Sequence, residues 1–481
     1  MATTKIAPAV QKVAKSTKTP SVVMWVPLVG LAIVMIRFTT LAAGPIKDPD
    51  AWWHLRVGRE FWSGNWSLHD TGPLSSFATE EWTPRDWVPQ LVASRFELWF
   101  GLPGVAWLYG LSLLAFLMTA YLVCRRFADP MPATLATVLG GLGATGSLSQ
   151  RPQVISFILM LIVVSAWLAT TRDLKPRWWL IPLTWVWASS HGMWYCGIAV
   201  GILVVAGLAI DRRVNLRHAL TLACVPALSL LAAGATPVGP RLWLTLFDTT
   251  GMWRFVSEWQ SPSFRDLAPA ITVLMIFIVV AIWARLGVRM PWTHIGVLAL
   301  GAGWTLLSAR TVALGAVTVA PLVATALQSL QQNRPPVHVR RAEPLFLGLV
   351  TLGCLAALAL AVPATSDIPG DVPNGLDDQL ASLPAGTAVL NEYVLGGWLH
   401  WRHPELQTVV DGFTDGYTTD AVSDYGEALT VSAGWQTYLE DTGADVALLR
   451  EDSPLAVALT DRLGWTNEGQ DAGYVLLTAS N

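Results

Sequence analysis

The chain has 481 residues, 53% of them hydrophobic and only 14% charged, with a mean hydropathy of +0.46. A soluble globular protein carries about 25% charged residues, so a single soluble domain is excluded and most of this chain belongs in a bilayer. The net charge of −3 gives no basic surplus for a polyanion, and no nucleic-acid partner is expected.

Residues 1–21 form a basic tail with Ile6, Val10 and Val13 at helical spacing; it either lies on anionic lipid or stays solvated and fixes topology. Eleven apolar runs follow as spans: 22–43, 103–123, 131–148, 153–171, 178–191, 193–210, 218–234, 267–284, 291–308, 311–327 and 344–363. The first is too long for a cleavable signal and reads as a signal anchor. With the N-terminus inside, the inner segments hold 17 basic residues against four acidic ones, while acidic residues dominate outside. That asymmetry predicts a plasma-membrane protein with a cytoplasmic N-terminus and an extracytoplasmic C-terminus. Cys124, Cys196, Cys224 and Cys354 all fall in or at the ends of spans, where they act as small apolar packers rather than a disulfide framework.

Polar chemistry gathers at the outer ends. The first outer loop, 44–102, opens with K-D-P-D-A-W-W-H-L-R-V-G from Lys47 to Gly58. Pro49 fixes an extended backbone between Asp48 and Asp50, and a helix from Ala51 sets His54 on the face of Asp50 at i, i+4. Seven Trp residues in this loop suit headgroup anchorage, and aromatic faces also stack on sugar rings. A second cluster, Glu80 to Trp87, supplies further carboxylates to the same side. Arg151, His191, Glu258 and Arg310 fall in other outer turns, and charge parity places all of them on the side of Asp48, Asp50 and His54. Convergence on one outer cavity is expected. Arg37, near the outer end of the first span, either snorkels to headgroups or holds a phosphate.

Residues 364–481 are too polar to span and long enough for their own core. Short apolar runs at Thr387–Leu390, Thr408–Val410, Val446–Leu449 and Tyr474–Thr478 read as buried strands, with helices near 420–431, 434–442 and 453–463 between them. A small α/β layer domain follows. Glu392 and Tyr393, and then Asp411-Gly412, sit just past strand ends, where binding loops gather. This region resembles that around the W-W-D-Y-G motif of oligosaccharyltransferase catalytic subunits; the W-W-D is absent, so recognition of a protein acceptor does not carry over.

The membrane part as a whole resembles bacterial GT-C-type glycosyltransferases, in a group with a D-P-D-x-W-W-H-L-x-x-G signature. Here that signature is Asp48 to Leu55 plus Gly58, and the likeness continues through Arg151-Pro152-Gln153, His191-Gly192, Glu258-Trp259 and Arg310. The resemblance implies a mainly α, polytopic fold of about 11 spans and an acidic motif in the first outer loop. It also implies a polyprenyl-phosphate sugar donor, transfer with inversion, and an extracytoplasmic C-terminal domain. Such transfer needs a carboxylate to take the acceptor's proton and positive charge for the departing phosphate. Asp50 or Asp48 is the expected base, the other orienting the acceptor or holding a divalent cation such as Mg or Mn. Arg37, Arg151 and Arg310 are the phosphate candidates. His54 serves the phosphate or completes a metal site, and His191, Glu258, Glu392 and Tyr393 are candidates for the acceptor or cavity wall. The acceptor, whether glycan, lipid or protein, is open. The competing classes are a transporter or flippase of lipid-linked saccharides, which would favour mid-span charges and repeated halves, and a non-catalytic component of envelope polysaccharide assembly.

Overall fold

Each of the eleven apolar runs forms a helix in the computed structural model, which describes residues 21–245, 251–287, 289–331 and 341–480. The basic tail of 1–20 lies outside the described residues. The helices are α1 (Ser21–Ala42), α3 (Trp87–Arg125), α4 (Pro130–Ala144), α5 (Gln153–Asp173), α6 (Leu180–Ala188), α7 (Trp194–Ile210), α8 (Leu216–Gly234), α10 (Leu267–Leu286), α11 (Trp292–Leu307), α12 (Val312–Ser329) and α13 (Ala342–Thr365). Seven of these, α1, α3, α5, α8, α10, α12 and α13, are long and apolar enough to cross a membrane, so the chain is a membrane protein. The others are shorter: α7 and α11 are apolar helices of 17 and 16 residues, α4 has 15 and α6 only nine.

The bundle is organised around α12, which touches α3, α4, α5, α10 and α11. Small residues allow that approach: a Cβ on Gly143 of α4 would come within 2.8 Å of Ala316 Cβ on α12. The helix α3 starts 16 residues earlier than its predicted span, and Gly101 (φ 66°, ψ −164°) breaks it into a shorter segment and the span proper. A side chain at that φ would be strained, so glycine permits the kink.

The C-terminal segment is α/β. The additional short helices are α2 (Pro49–Ser63) and α9 (Arg241–Leu244) in the loops, then α14 (Asp377–Ala381), α15 (Gly396–Arg402), α16 (Thr419–Leu429), α17 (Trp435–Thr442) and α18 (Pro454–Leu463). Five strands, β1 (Ala388–Asn391), β2 (Gln407–Thr408), β3 (Val446–Arg450), β4 (Thr466–Asp471) and β5 (Tyr474–Thr478), form one mixed sheet in the order β2-β1-β3-β5-β4. Four of them match the predicted runs. The fifth, β4, is polar and mostly exposed, so no apolar pattern announces it; it pairs with β5 through a turn at Ala472 and Gly473, both at positive φ.

Alternation divides the sheet between two cores. Ala447, Leu449, Val475 and Leu477 face α16, α17 and α18. Val446, Leu448 and Leu476 face the other way, into a core with Leu395, Trp398 and Leu399 and, from the first loop, Ala51, Trp52 and Leu55 of α2. The loop helix that carries the Asp-Pro-Asp motif is therefore clamped under the sheet. Backbone and side-chain links reinforce it: Ser75 Oγ donates to Thr408 O (2.6 Å), Glu80 N to Gly416 O (3.0 Å), and Gly370 N to Ile46 O (2.9 Å).

Candidate active site

Asp48 caps α2. Its Oδ1 accepts from the Asp50 N–H at 3.0 Å, and Pro49 fills the first helical position, where its missing N–H costs nothing. The helix thus begins at Pro49, two residues before the sequence suggests, and the two carboxylates meet on a guanidinium. Arg151, from the turn before α5, donates from Nε to both Asp48 oxygens at 2.8 Å. Its Nη1 reaches Asp50 Oδ2 at 3.0 Å and Glu258 Oε1 at 2.6 Å. One cation serves three carboxylates. Burial works against the charge on Arg151, and the three carboxylates more than offset it, pushing its pKa up.

Asp48 is buried and fully used, whereas the side chain of Asp50 keeps 21% of its surface exposed. Burial, with Asp48 and Glu258 adding to it against the pull of Arg151 and Arg310, pushes the Asp50 carboxyl up to about 6. Arg310, in the turn between α11 and α12, is 3.5 Å from Glu258 Oε2 and stands 5.5 Å from the Trp259 ring centre. With one long carboxylate contact among the described residues, it is the cation with more freedom to bind an incoming anion.

The C-terminal segment supplies the roof. Gly412 lies so close to Asp50 that a Cβ there would sit 2.5 Å from Oδ1. This loop is fixed by Asp411, which is fully buried and accepts from Phe413 N (2.5 Å), Tyr417 OH (3.1 Å) and His400 Nε2 (2.6 Å). Tyr393 belongs to the same neighbourhood: burial raises its hydroxyl pKa first, and Asp50, Asp411 and Glu258 act on it too. Glu392 turns instead to the sheet, accepting from Arg450 N at 3.1 Å.

His54 and His191 are buried and held neutral. Burial pulls both well down, and Arg310 disfavours the charged form of each, with Arg151 acting on His54 and Arg85 on His191. His54 Nδ1 lies 3.0 Å from Gln90 Nε2. His191 Nδ1 takes the Ser156 hydroxyl at 2.8 Å while the Trp187 indole donates to that same oxygen at 2.7 Å. Neutral rings are poor phosphate binders, so His54 forms part of the wall between α2 and α3.

Arg37 stands apart, exposed on α1 and donating to Thr40 Oγ1 at 2.9 Å. Among the described residues no group of three or more His, Cys, Asp or Glu is arranged to share a metal ion. An ion between Asp48 and Asp50 would have to displace Arg151.

Two residues gain a role that sequence spacing did not assign. Gln90 meets His54, and Asp86, noted only as a member of the second acidic cluster, is pushed up to about 6 by burial against the opposing pull of Arg85 and Arg310. The available signal was their i, i+4 spacing at the start of α3. Asp86 Oδ1, Gln90 Oε1 and Trp53 Nε1 are buried with no hydrogen-bond partner among the described residues.

No protein-family model and no curated protein matches the sequence. Solved structures do match by fold. The apo oligosaccharyltransferase of Archaeoglobus fulgidus aligns with 88% of this chain and 69% of its own at a TM-score of 0.57 and 10% identity. The same organism's oligosaccharyltransferase AglB, in complex with an inhibitory peptide and a dolichol-phosphate, covers 96% and 75% at 0.56 and 9%. ArnT from Cupriavidus metallidurans, bound to undecaprenyl phosphate, covers 94% and 97% at 0.53 and 14%. The chain has the mainly helical fold of these membrane transferases, with a small C-terminal sheet.

Proposed function

We propose that the protein is a GT-C-type glycosyltransferase that moves a sugar from a polyprenyl-phosphate carrier to an acceptor at the outer membrane face, and that Lys47–Gly58 carries the signature of its group. The observation that bears most weight is the cluster itself: three carboxylates on one arginine, a second arginine beside them, on a fold shared with proteins solved with dolichol-phosphate or undecaprenyl phosphate. Charge asymmetry supports a cytoplasmic N-terminus and an extracytoplasmic cluster.

In this reading Asp50 is the general base, because it keeps an accessible face where Asp48 is buried, and its own carboxyl is pushed up to about 6. The acceptor hydroxyl gives its proton to Asp50 as its oxygen attacks the anomeric carbon. The bond from that carbon to phosphate breaks on the opposite face, and polyprenyl phosphate leaves with both bonding electrons. One displacement inverts the anomeric centre. Arg310 stabilises the charge on the departing phosphate. Arg151 holds Asp48, Asp50 and Glu258 in register, and Asp48 fixes Arg151. Asp86, Gln90 and the Trp53 indole offer the buried donors and acceptors that sugar hydroxyls satisfy. A divalent cation, if one binds, would take the place of Arg151 between Asp48 and Asp50, and the acceptor is a hydroxyl-bearing envelope component.

The test is a donor panel. Purified protein in vesicles receives one labelled sugar carried on polyprenyl phosphate, on polyprenyl pyrophosphate or on a nucleotide, with envelope lipids and glycans as acceptors. Release of free polyprenyl phosphate with the sugar on a new molecule is expected. Passage of the intact labelled lipid across the vesicle membrane without release would favour the flippase class and sink the proposal.

A further inference from the structure

At the end of the bundle opposite the Arg151 cluster, α3, α5 and the residue leading into α6 line an open cavity of about 430 Å³. It is lined by Arg126, Arg172, Arg177, Asp173, Ala169 and Trp179. Because α5 runs 21 residues from beside Arg151 to Asp173, the two places are separated by roughly 30 Å at 1.5 Å per residue. The volume lies within the range of about 300–1,000 Å³ of small-molecule sites.

The charges in this cavity are uneven. Asp173, its one carboxylate, is occupied by Arg177 (2.7 Å) and by the Lys175 N–H (3.0 Å). Arg126 and Arg172 have no carboxylate partner among the described residues. Arg126 donates to the neutral Ser165 hydroxyl at 3.2 Å, and Arg172 stacks over Phe127 with 4.6 Å to the ring centre. Two guanidinium groups facing one cavity leave it a net positive charge and planar donors suited to phosphate oxygens.

The flanking surface says which phosphate. Leu122 lies one turn before Arg126 on the same face of α3 and is 42% exposed; Val186, two turns beyond Trp179 on α6, is 47% exposed. Trp179 lines the cavity and, like its neighbour Trp178, is about half exposed, as indoles at a headgroup layer are. A charged pocket with exposed apolar side chains on the helices that flank it fits a molecule with an anionic head and acyl chains better than a free anion. We propose that this cavity binds the headgroup phosphate of an anionic phospholipid, at the end of the bundle where the basic loops gather. The site is separate from the sugar-transfer reading and does not depend on it.

The test is native mass spectrometry of delipidated full-length protein titrated with dioctanoyl phosphatidylglycerol, with dioctanoyl phosphatidylcholine and inorganic phosphate as parallel probes. The variants are Arg126→Gln with Arg172→Gln, which removes the charge, and Ala169→Phe, which keeps the charge and fills the space. Wild type is expected to hold one phosphatidylglycerol about tenfold or more tightly than either variant, in line with two headgroup cations. Phosphatidylcholine should bind wild type and variants alike, and inorganic phosphate should not displace the bound lipid. If the double variant loses its thermal transition, Ala169→Phe decides alone. Equal phosphatidylglycerol binding by wild type and the folded variants overturns the proposal, as does displacement by inorganic phosphate at the concentration of the lipid.

Discussion

Two arginines of this molecule bind carboxylates inside the protein, and they do opposite things. Arg125 at the end of α3 meets Glu343 of α13 through two bonds of 2.8 and 3.0 Å, both side chains 2% exposed or less; the Tyr121 hydroxyl also donates to Glu343, and Arg125 donates to the Ala128 carbonyl. The pair is enclosed in a dry place, closed to a substrate. Arg151 at the other end faces three carboxylates, 16% of its own surface and 34% of the Glu258 side chain exposed. Burial, with Asp48 and Glu258 adding to it against the pull of Arg151 and Arg310, lifts Asp50 towards neutrality. An enclosed pair is a fastener; an accessible cluster of the same residue types is a site.

That contrast can be broken experimentally. Asp50→Asn should lower kcat by about 10²–10⁴, the usual contribution of a general base, without loss of folded protein. Glu343→Gln should do the reverse, costing about 3–5 kcal/mol of stability by leaving Arg125 uncompensated while turnover per folded molecule holds. Chemical denaturation and kinetics on both variants separate the two roles. Gly412→Ala, whose Cβ would press on Asp50 Oδ1, should cost up to about 10²-fold in kcat through misplacement of the base. Arg310→Gln should weaken donor handling about tenfold or somewhat more, as loss of one charge-assisted bond does; donor titration reads it.

Asp50 must be ionised to accept a proton, so the rate should climb as pH rises through about 6 and level off above it. A pH–rate profile with no acid limb near that value would remove Asp50 from the base role. Arg37→Gln should change turnover less than about twofold, since the residue is exposed and bonded only locally. A large loss there would place the donor phosphate along α1 rather than beside Arg310.

Apolar length located all eleven bundle helices because a bilayer demands internally satisfied backbone over a fixed thickness. Pattern could not say how far each run stays helical: α4 ends at Ala144 and α6 covers only Leu180–Ala188 of its run. Four strands were legible from buried runs; β4 was not, because its edge position leaves Thr466–Asp471 polar. Side assignment from Lys and Arg brought Asp48, Asp50, Arg151, Glu258 and Arg310 to one end, and the fold joins them. What charge counting could not supply was partnership. It gave Arg151 to a phosphate, whereas the geometry occupies it with carboxylates, and it could not foresee that Gly412, more than 350 positions away, closes over Asp50.

The most direct measurement follows donor binding and turnover in the same sample, in vesicles loaded with a sugar-labelled polyprenyl phosphate, for wild type and Asp50→Asn. Both proteins should bind the donor equally. Wild type should release one polyprenyl phosphate for each sugar transferred, and Asp50→Asn should hold the donor unreacted. Transfer by Asp50→Asn at the wild-type rate would contradict the assignment of this cluster as the active site.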